Sequence, residues 1–272
     1  MTVKEEYLSF RDSNKLNTAK FSDRVRLQLF LRERLDRIWS ERPKFANGGL
    51  LSNHMTGYSI GFAYYDCRPT SFCQNRCYGL HISGLHDYYM LRLSVITSES
   101  LKTGDGRYLD EVDTFIKRNN LKCLKIGHWG DAVVEQVQQI ADLVKENTPT
   151  VFWWYTRKKE VALAANELAL PNLRAYLSLD PTTEYPDEGS YTYGFTYLFG
   201  DGMRHANHSK IVQDRRLVAL FPPKIGRRIE DPEKLGIGDH PRLCLEKKVS
   251  AQSDIQAKNF CLSCFGRCNF SM

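Results

Sequence analysis

The chain contains no run of about 18 apolar residues, the minimum for a membrane-spanning helix. Its opening stretch, MTVKEEYLSFRDSNK, also lacks the apolar segment of a secretory signal. These absences predict a cytoplasmic protein with no membrane association. There is no internal repeat and no low-complexity segment, which excludes solenoid and linker architectures. A hydrophobic fraction of 42% and a charged fraction of 26% are ordinary for a globular fold and far from disordered or collagen-like compositions. At 272 residues the length suits one large α/β domain or two small ones, and one core is the simpler expectation.

The net charge of +6 is unevenly placed. Residues 1–45 carry 11 Lys/Arg against 7 Asp/Glu, and residues 203–229 carry 7 against 1, so the rest is mildly acidic. Basic stretches can track phosphates. A solvated helix face explains such runs more often, so nucleic acid is the less favoured partner.

Eight cysteines fall at 67, 73, 77, 123, 244, 261, 264 and 268. In a reducing compartment such thiols stay free, so the close spacing of seven of them asks for a metal. The first group, CRPTSFCQNRC, has the spacing C-x(5)-C-x(3)-C. Its three ligands, Cys67, Cys73 and Cys77, are one short of a closed zinc or iron-sulfur site and would leave one iron open to a small molecule. The second group, Cys244, Cys261, Cys264 and Cys268, supplies four thiolates and would close a site by itself, either an iron-sulfur cubane or zinc. Cys123 sits in an apolar strand pattern and reads as a small core residue.

Before the first group, SDRVRLQLFLRERLDRIWSERPKF has helical periodicity, with Ser22 or Asp23 near its cap and arginines on its outer face. After GYSIGFAYY, extended runs begin at Leu91, Leu121, Thr150, Leu173, Tyr193 and Arg216, with amphipathic segments such as YLDEVDTFIKRNN and AVVEQVQQIADLVKEN between the earlier ones. Near-continuously apolar strands alternating with helices predict an α/β fold with a covered parallel sheet, in the form of a partial or full βα barrel. The expected layout is an N-terminal helical extension over 1–50, a barrel core with the cysteine loop over 51–223, and an irregular cysteine-rich segment over 224–272.

Sites in such folds lie at the carboxyl ends of strands. The cysteine loop follows the first predicted strand, and polar groups mark the ends of others: Ser98 and Glu99, His128 and Asp131, Tyr155 and Arg157, and Asp180. Each has a simpler role available. Asp131 suits a helix cap before Ala132, and Asp180 suits a turn before Pro181.

A three-cysteine loop after the first strand of a βα barrel resembles the radical S-adenosylmethionine superfamily. The segments CQNRCYGL, LKIGHWGD, FWWYTRK and CLSCFGRC, in that order, are similar to a phage-associated group, the gene product 88 family. The resemblance runs from about Gly57 to Cys268. It implies a radical-SAM-like fold in which Cys67, Cys73 and Cys77 hold a [4Fe-4S] cluster whose open iron binds S-adenosylmethionine (SAM). The loop is longer than the usual C-x(3)-C-x(2)-C. Where many superfamily members carry a glycine-rich stretch ending in glutamate, this chain has ITSESLKTGDG, in which Glu99 can substitute. His128, Arg157 and Asp180 would orient the ligand, with Asp131 and Tyr155 beside them. Two other readings stand next to this one. The first is a non-catalytic iron-sulfur protein serving a redox partner protein. The second is a nucleic-acid-binding metalloprotein in which Trp153, Trp154 and Tyr155 stack bases, although core packing suits those aromatics better.

Overall fold

The computed structural model describes residues 1–42, 45–53, 57–75, 77–81, 87–200, 202–221, 224–225, 228–229 and 242. Cys244, Cys261, Cys264 and Cys268 lie outside the described residues.

The N-terminal segment forms three helices, α1 (Val3–Ser13), α2 (Phe21–Arg32) and α3 (Leu35–Glu41). Thr2 and Glu5 close a reciprocal capping box at the start of α1. The single helix expected over this basic stretch is broken at Glu33 and Arg34. Asp23 accepts a hydrogen bond from the Asn17 amide (2.9 Å) and does not cap α2. Val3, Tyr7, Leu27, Leu31 and Ile38 are buried in the same cluster as Ile60 and Leu124 of the sheet, so these helices share the main core.

The sheet has seven strands in sequential order: β1 (Leu51–Asn53), β2 (Gly57–Ile60), β3 (Cys123–Ile126), β4 (Val151–Thr156), β5 (Leu173–Leu179), β6 (Phe195–Leu198) and β7 (Leu217–Phe221). β1 pairs antiparallel with β2, and all later pairs are parallel. Among the described residues the sheet is not closed, with β1 and β7 at its ends. A separate two-stranded ribbon pairs β8 (Lys224–Ile225) with β9 (Arg228–Ile229).

Between β2 and β3 run α4 (Ser71–Asn75), α5 (Tyr78–His81), α6 (Asp87–Thr103) and α7 (Gly106–Asn119). The later connections carry α8 (Val137–Glu146), α9 (Lys159–Glu167) and α10 (His208–Gln213). α7 buries Tyr108, Val112 and Ile116 at four-residue intervals. It starts on an Asp105 cap and ends at Asn120 in the left-handed conformation. Alternation puts Phe152 and Trp154 of β4 and Ala175 of β5 on the face packed against the helices. Trp153 and Trp154 are 2% and 0% exposed, the packing role expected of them.

One predicted strand is a helix. LRLSVITS lies inside α6, where every residue from Leu93 to Leu101 is buried. A helix enclosed on all sides loses the polar stripe that would reveal its period, and β-branched Val95, Ile96 and Thr97 then imitate a strand. Two of its hydroxyls bond within the helix: Ser94 donates to the Met90 carbonyl (3.0 Å), and Thr103 donates to that of Glu99 (2.9 Å).

Candidate functional site

β2 and β3 leave the sheet together. The amides of Gly127 and His128 donate to the Ile60 carbonyl (3.0 and 2.8 Å), and the Phe62 amide donates to that of Trp129 (2.9 Å). Gly130, at φ +67°, lets the chain pass against Phe62, because a Cβ there would collide with the Phe62 carbonyl. The cysteine loop begins just beyond this junction, at the carboxyl edge of the parallel strands. Phe62, Tyr64 and Phe72 turn into the core, while Cys67, Cys73 and Cys77 are free thiols left partly exposed.

Buried polar groups hold the loop at its entrance, middle and exit. At the entrance the Lys158 ammonium, 6% exposed, donates to the carbonyls of Asp66 (2.6 Å) and Ala132 (2.7 Å). In the middle the Thr70 hydroxyl donates to Asp180 (2.5 Å) and accepts from the Cys73 amide (3.0 Å), while Arg157 forms an ion pair with the same carboxylate. At the exit Arg24, on α2 and 2% exposed, donates to the Gly79 carbonyl (2.8 Å), the Leu80 carbonyl (3.3 Å) and the Tyr64 hydroxyl (3.1 Å). Gly79 is needed at this point, since a side chain would strike that hydroxyl. Burying the Lys158 and Arg24 cations is unfavourable unless each is bonded this thoroughly, so the loop's path is strongly specified.

The thiols influence one another. Burial pushes the Cys67 thiol up, reinforced by Asp131 and by Cys73 and Cys77, against the pull of Lys158. Burial raises Cys73 as well, opposed first by Arg157. Burial thus favours the neutral thiol at Cys67 and Cys73, and a soft metal ion is the kind of partner that would stabilise thiolates there. Among the described residues, no group of three His, Cys, Asp or Glu side chains is arranged to hold a metal ion. The chemistry of the three thiols is that of a soft-metal donor set.

The other predicted residues divide. Asp131, 5% exposed, does not cap a helix: its carboxylate accepts from the Thr156 hydroxyl (2.7 Å) and the Arg157 amide (2.9 Å), tying the end of β3 to that of β4. Burial nevertheless raises its carboxyl above the usual range. Asp180 does shape the turn after β5, accepting from the Thr182 amide and hydroxyl (both 2.8 Å), and it also joins the loop. His128 has Nδ1 at 2.8 Å from the Ser59 hydroxyl, and burial pushes its pKa down to about 3, so the ring is neutral. Tyr155 stacks on Tyr176, with ring centroids 5.9 Å apart. Glu99 sits on α6 instead of a strand end. Its carboxylate is engaged by Tyr65 (2.8 Å), Lys102 (3.1 Å) and Arg32 (3.1 Å). Cys123 opens β3 and is only half-buried.

The gene product 88 family model matches residues 30–263, a span that takes in the cysteine loop and every strand of the main sheet. The chain belongs to the gene product 88 family. The gene product 88 match starts within α2, upstream of the Gly57 expected from the motifs, and includes Cys244 and Cys261 but not Cys264 or Cys268. Searches of curated proteins and of solved structures found no match.

The sequence pattern did not single out Arg24, Thr70 or Lys158. Thr70 carried a signal, since a threonine three residues before Cys73 is an N-cap pattern. Arg24 and Lys158 carried none, because a buried cation looks like a surface one in sequence. Part of the basic N-terminal surface is paired: Arg34 and Arg37 with Glu6 (2.9 and 2.7 Å), and Arg42 with Glu111 (2.5 Å). Among the described residues, no helix is long and apolar enough to cross a membrane.

Proposed function

We propose that Cys67, Cys73 and Cys77 hold a [4Fe-4S] cluster by three corners, that the open iron takes a small ligand, SAM, and that the parallel strands form a partial βα barrel around this mouth. Cys244, Cys261, Cys264 and Cys268 hold a second cluster or a zinc ion. The observation that carries the reading is a three-thiol loop fixed by two buried cations, Lys158 and Arg24, and one buried carboxylate, Asp180, at the carboxyl edge of sequentially ordered parallel strands. When bound, a cluster of this kind supplies a one-electron couple and an exchangeable iron coordination position. The chain's own residues fix the loop through Lys158, Thr70, Asp180 and Arg24. Arg157 is placed beside Cys73, where its charge favours an anionic centre.

Anaerobically purified protein should be brown, and Cys67→Ala should remove about four irons per chain while sparing the second site. Zinc with no iron overturns the assignment. Adding SAM should perturb the electron paramagnetic resonance spectrum of the reduced triad cluster.

A second reading, a cluster protein that passes electrons to a redox partner protein without SAM, is favoured by one specific observation. Glu99, Asp131 and Asp180, three of the groups expected to contact a ligand, bond to protein partners. A spectrum unchanged at saturating SAM selects it.

A further inference from the structure

Asp180 is the first residue beyond β5 and its side chain is fully buried. Its Oδ1 accepts from the amide and hydroxyl of Thr182, and its Oδ2 accepts from the Thr70 hydroxyl and the Arg157 guanidinium. Four donors use the four acceptor positions of a carboxylate, leaving none for an outside ligand. The carboxylate is also held from its own backbone: the Asp180 amide donates to the Thr183 hydroxyl (2.9 Å), and the Thr183 amide returns to the Asp180 carbonyl (3.1 Å).

Thr70 passes this rigidity to the loop. Its hydroxyl spends its one proton on Asp180 and uses a lone pair on the Cys73 amide, the N-cap bond of α4. The end of β5 is thus joined to the middle cysteine through two hydrogen bonds, although Thr70 and Asp180 are 110 residues apart in sequence. Arg157, at the end of β4, meets the same carboxylate oxygen, so a single side chain sets both the middle thiol and the cation beside it.

We propose that Asp180, acting through Thr70, is the positioning residue of the cysteine loop and not a ligand-binding group. It fixes Cys73 against Arg157 before any metal arrives. The inference rests on the triad being the metal site, but its geometric part does not need a metal.

The test uses the full-length chain, purified anaerobically and stripped of metal, as wild type and as Thr70→Val, Thr70→Ser and Asp180→Asn. Folding is checked by circular dichroism. Cobalt(II) is titrated, and the thiolate-to-cobalt absorbance lost in Cys67→Ala defines the triad's share. In parallel, the alkylation of Cys73 is timed against that of Cys123 by peptide mapping. Thr70→Val and Asp180→Asn should weaken triad cobalt binding about 10–100-fold, the usual effect of losing an outer partner of a metal ligand. They should also speed alkylation of Cys73 by about tenfold, the worth of one lost cap, without changing Cys123. Thr70→Ser, which keeps the hydroxyl, should match the wild type in both assays. Folded Thr70→Val with wild-type cobalt affinity and wild-type Cys73 alkylation overturns the proposal. If wild type and Cys67→Ala titrate identically, the metal reading fails, and the alkylation rates alone decide the positioning role: faster in Thr70→Val supports it, unchanged refutes it.

Discussion

Replacing Lys158 with methionine tests whether the loop's entrance depends on a buried charge. The side chain keeps nearly the same volume, so packing changes little, but the bonds to the carbonyls of Asp66 and Ala132 disappear. A hydrogen bond from a charged donor contributes about 1.5–3 kcal/mol, and a buried acceptor left without a partner costs about 1–3 kcal/mol. Asp131, whose carboxyl burial pushes up, also loses one of the nearby cations that oppose that push. Because relaxation and water entry recover part of this, a destabilisation of about 3–5 kcal/mol is expected, the range seen when one partner is removed from a buried ionic contact. For a chain of this size each kcal/mol moves the melting temperature by about 2–4 °C, so Lys158→Met should melt at least about 6 °C lower. The assay is thermal unfolding by circular dichroism, paired with urea denaturation. Lys159→Met is the control. That neighbour donates to the exposed Ser190 hydroxyl (2.7 Å), and its loss should stay within about 0.5 kcal/mol. If the two variants unfold alike, the buried anchor is not what holds the loop, and the argument for a specified cysteine site weakens with it.

Three further perturbations follow from the same geometry. Arg24→Leu strips the donors from the Gly79 and Leu80 carbonyls and should destabilise by about 2–4 kcal/mol while exposing Cys77 to alkylation faster than Cys123; equal rates at the two cysteines would show that α2 does not hold the loop. Glu99→Gln should cost about 1–3 kcal/mol, because Tyr65, Lys102 and Arg32 lose a charged partner, and should leave any SAM effect on the cluster spectrum intact; loss of that effect would return Glu99 to ligand binding. His128 is neutral when folded, with its pKa lowered from 6.5 to about 3, whereas the unfolded chain protonates near its ordinary value. Its contribution is fully present above about pH 6.5 and declines as pH falls toward 3, by at most about 1.4 kcal/mol per pH unit, since the unfolded state then binds the extra proton. His128→Asn should flatten that acid limb in urea titrations, and an unchanged slope contradicts a buried neutral ring.

How much of this could be read in advance depends on whether the information is local. The strands β3 to β7 announce themselves because each is a short apolar run bounded by turn residues, and α7 and α8 because one face is wet and the other dry. α6 escapes for the opposite reason: with both its sides covered, its composition reports burial but not geometry. β1 is a three-residue strand after a glycine pair, too short to carry a period.

The site divides along the same line. Three cysteines in one loop are a local pattern, and their place after a strand follows from it. What fixes them is not local. Arg24, Lys158 and Asp180 reach the loop from an N-terminal helix, from beyond the end of β4 and from the end of β5, and each would have read equally well as a surface charge or a turn former. Of the residues that pattern picked as ligand contacts, Asp131 and Asp180 stand near the ends of buried strands, where polar groups need partners, and Glu99 stands on α6. Those partners turned out to be in the protein. A carboxylate at a strand end satisfies its hydrogen bonds with whatever donors the fold brings closest, and here the fold brings Thr70, Thr156, Arg157 and Thr182. The polar edge therefore serves first to tie strand ends to one another and to the thiol loop, and a ligand at the mouth must find groups other than the fully engaged Asp180 carboxylate.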